Sequence, residues 1–186
     1  MLFEPTSIPE VVIITPQVFG DDRGFFMETY QAQRFGAAGL PFIYVQDNHS
    51  GSQHGTLRGL HYQIRQPQGK VVRVLDGEIY DVVVDLRRWS ATFCQWLGIE
   101  LSANNKKQIW IPPGFAHGFY VLSEWAEVAY KATDYYTPQW ERTLLWNDPT
   151  LDINWPIPIG EFPVLSSKDM HGKLLAEAEV YDQEIK

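Results

Sequence analysis

Short runs of alternating apolar and polar residues dominate the chain, and Gly, Pro, Asn or Asp residues separate them. Successive side chains of a strand point to opposite faces of a sheet, so this alternation predicts β-structure. Within Lys70–Leu86, two β-branched runs flank Asp76-Gly77, whose residues tolerate the positive φ angles of a tight turn, and the pattern predicts a β-hairpin. Further strand-like runs are Thr92–Leu101, Gln108–Ile111, His117–Ser123 and Trp125–Tyr136. Regular short strands at this spacing favour an all-β sandwich or barrel.

Helical patterns are few. Met27–Gly39 predicts a short helix that ends near one of its glycines, and Lys168–Val180 predicts another near the C-terminus. Trp146–Pro163 contains too many prolines for regular structure, and we expect an ordered loop because its Trp and Ile residues need burial. The sequence shows no internal repeat and no linker, so residues 1–186 are predicted to form a single domain.

Composition and charge argue against two classes of function. The formal net charge is −8, whereas nucleic-acid binding draws on a basic face, so we expect no nucleic-acid partner. No apolar run reaches the roughly 20 residues of a membrane helix, and the N-terminal sequence lacks a signal-peptide pattern. The one cysteine, Cys94, can form no internal disulfide, which is typical of a reducing compartment. We therefore expect a soluble, cytoplasmic protein, and a few local cations still allow a small anionic ligand.

Two histidines stand where a barrel would hold a ligand. His61 lies in LRGLHYQ, and His117 follows the PPG turn of PPGFAHGF, which places it at the mouth of a predicted strand. Each is either a packed core histidine, a metal ligand or an acid–base group. Metal-binding jelly rolls of the cupin type use an H-x-H pair followed by a glutamate, but position 63 is Gln63 and the first downstream glutamate is Glu78. Two good ligands are too few for a transition metal, so we expect no metal site.

An acid–base site needs a base, an acid across the substrate and a cation for a developing negative charge. A histidine with an ordinary pKa of about 6.5 suits the base. Lys70 begins the predicted hairpin, and Tyr130 lies in an alternating run, where a buried tyrosine can donate a proton if a neighbouring cation lowers its pKa. From these residues alone, His61 as a satisfied core histidine, Tyr130 as a core residue and Lys70 as a solvated strand end remain open.

Six collinear segments, between about residues 4 and 170, carry a resemblance to a known family. They are VFGDDRGFFMETY, VQDNHS, LRGLHYQ, QGKVVRVLDGEIYDVVVDLR, LSANNKKQIWIPPGFAHGF and YKATDYYTPQWE. Together they resemble the dTDP-4-dehydrorhamnose 3,5-epimerase family. The resemblance implies a cupin-like jelly roll with short peripheral helices, active as a homodimer without metal or organic cofactor. It implies the substrate dTDP-4-dehydro-6-deoxy-α-D-glucose, the product dTDP-4-dehydro-β-L-rhamnose and a role in dTDP-L-rhamnose biosynthesis for cell-surface polysaccharide.

The resemblance also assigns roles residue by residue. It implies His61 as general base, Asp169 as the carboxylate that orients it, Tyr130 as general acid and Lys70 as the cation near the C-4 oxygen. It implies substrate contacts from Arg23, Phe26, Glu28, Gln46, Asn48, Arg58, His117, Tyr136, Glu141 and Lys168, with Phe19 nearby. Arg23, Arg58 and Lys168 would provide positive charge for the diphosphate.

One detail conflicts with a regular strand. Arg58 and His61 are three positions apart, so a regular strand would point them to opposite faces. Gly59 lies between them, and a glycine within a strand often marks a bulge, so we expect a bulge or bend at Gly59.

Two other functions remain compatible with the sequence. The first is a single-site (3- or 5-) epimerase or a ketoisomerase of a dTDP-4-keto-6-deoxyhexose, on the same scaffold. The second is a non-catalytic sugar-binding or nucleotide-binding jelly roll. One chain contains a candidate base, a candidate acid and a candidate cation that would stabilise an enolate, which argues against this second possibility.

Overall fold

A computed structural model describes residues 1–185 of the chain. Strands predominate, and they are β1 (Leu2–Pro5), β2 (Val12–Thr15), β3 (Val18–Asp21), β4 (Gly24–Met27), β5 (Gln46–Gln53), β6 (Leu57–Gln63), β7 (Lys70–Asp76), β8 (Glu78–Asp85), β9 (Trp96–Ser102), β10 (Gln108–Ile111), β11 (Phe115–Val121), β12 (Trp125–Ala132) and β13 (Glu141–Thr143). The helices are short: α1 (Ala32–Ala37), α2 (Ser167–Met170) and 3-10 turns at Pro138–Trp140 and Leu175–Glu177. No helix in the described range is long and apolar enough to cross a membrane.

Two antiparallel sheets carry most of the strands. A six-stranded sheet has the order β1-β2-β10-β7-β12-β5, and a five-stranded sheet has the order β13-β6-β11-β8-β9. Strands β3 and β4 form a separate two-stranded hairpin. The main core lies between the two large sheets, where Val72 and Ile109 of one sheet share a cluster with Val83 and Phe119 of the other. The alternation predicted an all-β sandwich or barrel, and the structure confirms a sandwich whose interior is filled by apolar side chains from both sheets.

The predicted β7–β8 hairpin is wrong. Strand β7 pairs with β10 and β12 in the six-stranded sheet, whereas β8 pairs with β11 and β9 in the five-stranded sheet. Gly77 does have the positive φ (75°) that the turn signal requires, but the chain uses this turn to cross from one sheet to the other. Both flanking strands have apolar faces directed to the same core, which a sandwich corner buries as well as a hairpin does.

The two helix predictions have different outcomes. Helix α1 lies within the predicted segment and ends beside Gly39, whose φ is 76°. The long C-terminal helix is wrong, because α2 is a single turn and the chain then becomes extended. The reason is a tertiary contact: Lys173 bridges Leu144, and a Cβ at Gly172 would lie 2.6 Å from the Leu144 backbone.

The proline-rich segment 146–163 is an ordered loop, as predicted. Trp155 is buried within it, and its indole Nε1 donates to the Trp146 carbonyl at 2.8 Å. Together with the C-terminal residues, this loop covers the outer face of the five-stranded sheet and leads the chain back to α2. Its course therefore determines where the residues of α2 lie.

Candidate active site

A cavity of about 370 Å³ opens between the two sheets. Side chains from both sheets and from the loops at one end of the sandwich line it. The lining residues are Gln46, Asn48, His49, Ser50, Arg58, His61, Gln68, Lys70, His117, Gly118, Phe119, Tyr130, Tyr136, Glu141 and Lys168. Ten of the residues that the sequence predicted for the site are among them.

His61 and Asp169 form a hydrogen-bonded pair at the cavity wall. His61 lies on β6, and its Nε2 donates to Oδ1 of Asp169 at 2.6 Å. Asp169 belongs to α2, where it also accepts hydrogen bonds from the Gly59 backbone at 3.3 Å and from the Ser166 hydroxyl at 2.6 Å. Burial raises the pKa of Asp169, but the hydrogen bonds from His61 and Ser166 outweigh it and leave the carboxyl pKa below its usual range. Asp169 therefore stays ionised and holds one ring nitrogen of His61.

His61 itself is an uncharged imidazole at neutral pH. Burial lowers the pKa of His61, and the hydrogen bond from its ring to Asp169 opposes this effect only in part. Because Nε2 is engaged by Asp169, Nδ1 is the nitrogen that remains for a bound molecule. A neutral imidazole with a free nitrogen is the form that accepts a proton.

The strand that carries His61 is irregular at Gly59, as predicted. His117 of β11 pairs with His61, but Phe119, two residues further on, pairs with Arg58, so three steps on β6 match two on β11. Gly59 has a φ of 128°, and a Cβ there would lie 2.5 Å from Cα of Gly118. This bulge brings Arg58 and His61 to the same cavity despite their odd spacing.

Tyr130 and Lys70 face the cavity from the six-stranded sheet, opposite His61. Tyr130 lies on β12 and Lys70 on the neighbouring β7, with the Lys70 ammonium 5.7 Å from the centroid of the Tyr130 ring. The expectation that a neighbouring cation lowers the pKa of Tyr130 below its ordinary value is wrong: burial raises this pKa and the charge of Glu141 adds to the effect, so the hydroxyl keeps its proton at neutral pH. Burial lowers the pKa of Lys70 to about 8, against the opposing charges of Asp81 and Glu141. Lys70 is thus not the solvated strand end that its sequence position allowed.

A second histidine–carboxylate pair lies beside the first. His117 lies directly opposite His61 in the β6–β11 pairing, within β11 rather than at the strand mouth that the sequence predicted. Its Nε2 donates to Oδ2 of Asp81 at 2.8 Å, and Asp81 is fully buried on β8. Sequence reasoning missed Asp81, although an acidic residue inside the β-branched run of β8 was a signal that could have identified it.

The outer part of the cavity is a chain of polar contacts. Glu141 accepts hydrogen bonds from the Lys168 ammonium at 2.8 Å and from the Tyr136 hydroxyl at 3.0 Å. Burial raises the pKa of Glu141, but the contact with Lys168 outweighs it, so the carboxylate remains charged. Gln46 accepts from the Tyr136 backbone and donates to Asn48, both at 2.9 Å. These residues form a polar rim around His61, Lys70 and Tyr130.

Three predicted contacts do not line this cavity. Arg23 and Phe26 lie on the β3–β4 hairpin, where Arg23 pairs with Asp21 and Phe26 is 70% exposed. Glu28 follows the hairpin and lies 3.3 Å from Arg34. Phe19, on the same hairpin, is 55% exposed. The hairpin therefore presents arginine and aromatic side chains to the surface and not to the cavity of its own chain.

Gln63 occupies the position of the second histidine in metal-binding jelly rolls, and its side chain makes structural hydrogen bonds. The Gln63 amide donates to the Gln66 carbonyl at 2.7 Å and accepts from the Thr137 backbone at 2.6 Å. Both contacts direct the side chain into a turn and away from the cavity. Across residues 1–185, no group of three or more His, Cys, Asp or Glu side chains is arranged to hold a metal ion.

The model of one protein family, described as dTDP-4-dehydrorhamnose 3,5-epimerase, matches residues 5–177 of the chain. The chain belongs to this family. A relative of that name from Pseudomonas aeruginosa is 58% identical over 176 residues, covering 94% of this chain and 96% of the relative. Another, from Salmonella typhimurium, is 52% identical over 180 residues and covers 96% of this chain and 97% of its own.

Solved structures show the same relationship. The crystal structure of a dTDP-6-deoxy-D-glucose-3,5-epimerase from Legionella pneumophila, in complex with dTDP-4-keto-L-rhamnose, has a TM-score of 0.94 and 50% identity. The match covers 99% of each chain. The fold is accordingly the cupin-like jelly roll of the dTDP-4-dehydrorhamnose 3,5-epimerase family, and the chain is an isomerase, a 3,5-epimerase of dTDP-L-rhamnose biosynthesis.

Proposed function

We propose that His61 and Tyr130 invert C-3 and C-5 of dTDP-4-dehydro-6-deoxy-α-D-glucose by removing and returning protons next to the C-4 ketone. The observation that carries the proposal is that His61 and Tyr130 line one cavity from opposite sheets. Inversion requires a proton to leave one face of the sugar and another to arrive at the opposite face. A single group could not serve both faces, whereas groups on facing walls can.

His61 is the base. Its Nδ1 lone pair takes the proton from the carbon beside the ketone, and the C–H electron pair moves into the C-4 carbonyl to form an enolate. The imidazolium that results is stabilised by the ionised carboxylate of Asp169, which already accepts from Nε2. Since burial keeps the pKa of His61 below its usual value, the base is ready before the substrate binds.

Lys70 stabilises the enolate. Within residues 1–185 the structure records no hydrogen bond or ion pair of the Lys70 ammonium, which leaves it available to a ligand oxygen. A preorganised donor at a developing oxyanion is typically worth a factor of about 100 to 1,000 in rate. With its pKa near 8, Lys70 is mostly charged at neutral pH and can serve this role.

Tyr130 returns the proton on the other face. Its raised pKa keeps the hydroxyl protonated until an enolate approaches. Protonation of the carbon collapses the enolate back to the ketone and leaves a phenolate beside Lys70, whose positive charge stabilises it. After each inversion His61 has gained one proton and Tyr130 has lost one, and exchange with water restores both before the second carbon reacts.

The nucleotide is held at the polar rim. The Arg58 side chain is positioned by hydrogen bonds from Nε to Ser52 at 2.9 Å and from one terminal nitrogen to Gly51 at 3.3 Å, and its other terminal nitrogen is left for a phosphate oxygen. Lys168 adds a second positive charge next to Glu141. The Tyr136 ring is 47% exposed at the cavity mouth, where it can stack on a base.

We propose further that the enzyme is a homodimer in which the β3–β4 hairpin of one copy completes the cavity of the other. Arg23, Phe26 and Glu28 are predicted substrate contacts, yet they lie outside the cavity of their own chain. Phe25, which is 60% exposed at the hairpin, adds apolar surface that a second copy would bury.

Light scattering of the purified protein tests the homodimer, and the expected result is the molar mass of two chains. Mixed dimers of an Arg23→Ala chain and a His61→Ala chain should regain up to about half of the wild-type activity per mixed dimer, since one of their two sites is intact. A randomly reassociated equal mixture, in which about half of the dimers are mixed, should then reach about a quarter, and no regain would refute the shared site.

Proton exchange in deuterated water tests the proposed reaction directly. The protein is incubated with dTDP-4-dehydro-6-deoxyglucose under chelator, and deuterium at C-3 and C-5 is followed by NMR. Label at both carbons, with an L-rhamno product after reduction, is the expected result. Label at only one carbon would indicate a single-site epimerase, and binding of the sugar nucleotide without any label would indicate a binding module.

A further inference from the structure

A buried carboxylate that the acid–base mechanism does not use lies directly behind the cavity. Asp81 is fully buried on β8 between its strand neighbours Phe119 and Ile99. One of its oxygens accepts from His117, and within residues 1–185 the other, Oδ1, has no hydrogen-bond partner. A buried carboxylate with an unused oxygen is costly, so its retention inside an apolar sheet calls for a function.

The contact with Asp81 determines which ring nitrogen of His117 a substrate meets. A carboxylate oxygen is the partner of Nε2, so Nε2 carries the proton of this pair and Nδ1 is left for the cavity. His117 and His61 are directly opposed on neighbouring strands and line the same cavity. The two rings are therefore fixed in the same way, each by a carboxylate on its Nε2.

The same carboxylate also acts on Lys70, the cation proposed to stabilise the enolate. The charge of Asp81 raises the pKa of Lys70, against the larger effect of burial, which lowers it. Glu141 acts in the same direction as Asp81, and Lys168 acts against both. Glu141, however, is already engaged by Lys168 and Tyr136, whereas one oxygen of Asp81 is uncommitted.

We propose that Asp81 is a positioning residue for the epimerisation: it fixes the His117 ring with Nδ1 toward the bound sugar and provides the buried negative charge that matches the Lys70 ammonium. The inference rests on the proposed function, because His117 and Lys70 line the cavity in which the sugar is proposed to react. Asp81 touches no substrate in this arrangement and works through His117 and Lys70.

Asp81→Asn is the decisive variant, since it keeps the shape and the acceptor for His117 but removes the charge. We expect kcat to fall by roughly tenfold to a hundredfold with KM little changed, because an orienting partner is weakened and not a ligand contact. We also expect the high-pH limb of kcat/KM to move to lower pH, because Lys70 loses a charge that favours its ammonium form. Wild-type kcat together with an unmoved limb would overturn the proposal.

Asp85→Asn is the matched control. Asp85 is also fully buried on β8, but its carboxylate binds Arg87 and Thr92, away from the cavity. This variant should lose thermal stability while leaving the pH profile of the folded enzyme where it was. If both variants moved the profile equally, the effect of Asp81 would be one of general stability, and the proposal would fail.

NMR of the protein tests how Asp81 holds His117 without any measurement of turnover. Nitrogen-15 spectra of the wild-type imidazoles, assigned with a His117→Gln variant, should show His117 protonated at Nε2, and a neutral ring protonated at Nδ1 instead would refute the proposal. This measurement serves even if Asp81→Asn does not fold. Absence of proton exchange by the wild-type enzyme would refute the proposed function, and the His117 spectrum would still show whether Asp81 holds the His117 ring at Nε2.

Discussion

Asp169 holds His61 from a position 108 residues further along the chain, with 2.6 Å between its Oδ1 and the His61 Nε2. In the proposed mechanism this contact leaves Nδ1 as the proton acceptor and would stabilise the imidazolium that proton removal creates. Asp169→Asn keeps the size of the side chain but removes this charge and the control of the tautomer. We expect kcat to fall by about 100-fold or more, as for other carboxylates that orient a catalytic histidine. Steady-state kinetics, with circular dichroism to verify folding, measures this.

Ser166→Ala is the control for this variant. The Ser166 hydroxyl donates to the second oxygen of Asp169 at 2.6 Å and accepts from the Asp169 backbone at 3.2 Å. The substitution removes both hydrogen bonds but leaves the contact between Asp169 and His61 in place. Loss of the hydroxyl should cost stability at the start of α2 and a much smaller part of kcat. Equal losses in the two variants would show that Asp169 matters for the placement of α2 and not for the charge on His61.

The pH dependence of kcat/KM should be bell-shaped, with limbs set by His61 and Lys70. The base must be neutral, and because burial lowers the pKa of His61, the acid limb should lie below the ordinary value of about 6.5. Lys70 must be charged to stabilise the enolate, so activity should fall as the pH rises through about 8, the pKa of Lys70. Tyr130 cannot account for that limb, because its pKa is raised from a value already near 10.

Lys70→Arg separates these assignments. A guanidinium stays charged at every accessible pH, so the variant should lose the limb near pH 8 even if its kcat is reduced by poorer geometry. The acid limb, which belongs to His61, should stay in place. A basic limb that persists near pH 8 in Lys70→Arg would assign it to another group.

Lys70 should also be a residue at which activity opposes stability. Its pKa in the folded protein is about 8, whereas in the unfolded chain it is about 10.4, so the folded state binds protons less readily. The stability linked to this group is therefore full above the unfolded pKa and is lost as the pH falls through about 8. Lys70→Met removes the buried charge, and calorimetry at pH 7 should give a higher Tm with almost no turnover. The gain in Tm should shrink by pH 10, and a lower Tm at pH 7 would contradict the linkage.

Tyr130→Phe should separate proton removal from inversion. The variant keeps His61 and Lys70, so hydrogen at the first carbon should still exchange with deuterated water, while net epimerisation falls much further. The ratio of exchange to epimerisation, measured by NMR on the same sample, checks this. A parallel loss of both would mean that Tyr130 positions the sugar and does not donate the proton.

The sequence located the cavity-lining side chains proposed for acid–base work better than it located the residues that support them. His61, Lys70 and Tyr130 each stand in a motif, and all three line the cavity. Asp169 was found through resemblance alone, because no local pattern links it to a strand 108 residues away. Asp81 was missed, although a carboxylate in the apolar run of β8 is an unusual residue that tertiary structure must satisfy.

The fold was predictable at the level of elements and less so at the level of pairing. Alternation located the strands, but the turn at Gly77 does not encode whether β7 and β8 share a sheet. Their partners β10, β11 and β12 come later in the chain and decide it. For the same reason the α2 segment could not be extended into a helix, since Leu144 captures Lys173 from a distant part of the sequence.

Gly59 tests the link between the bulge and the site. A Cβ there would lie 2.5 Å from Cα of Gly118, and the φ of 128° is unfavourable for any other residue. Gly59→Ala should therefore cost about 2–4 kcal/mol of folding stability through strain and overpacking. Gly24→Ala is the control, because Gly24 has a similar φ of 125° and a Cβ there would meet no atom within 4 Å, so it bears the backbone strain without the clash. Denaturation of the two variants, with kcat measured on the folded fraction, separates the two effects. A loss in Gly59→Ala no larger than in Gly24→Ala would show that the close approach of β6 and β11 is not what positions Arg58 and His61 together.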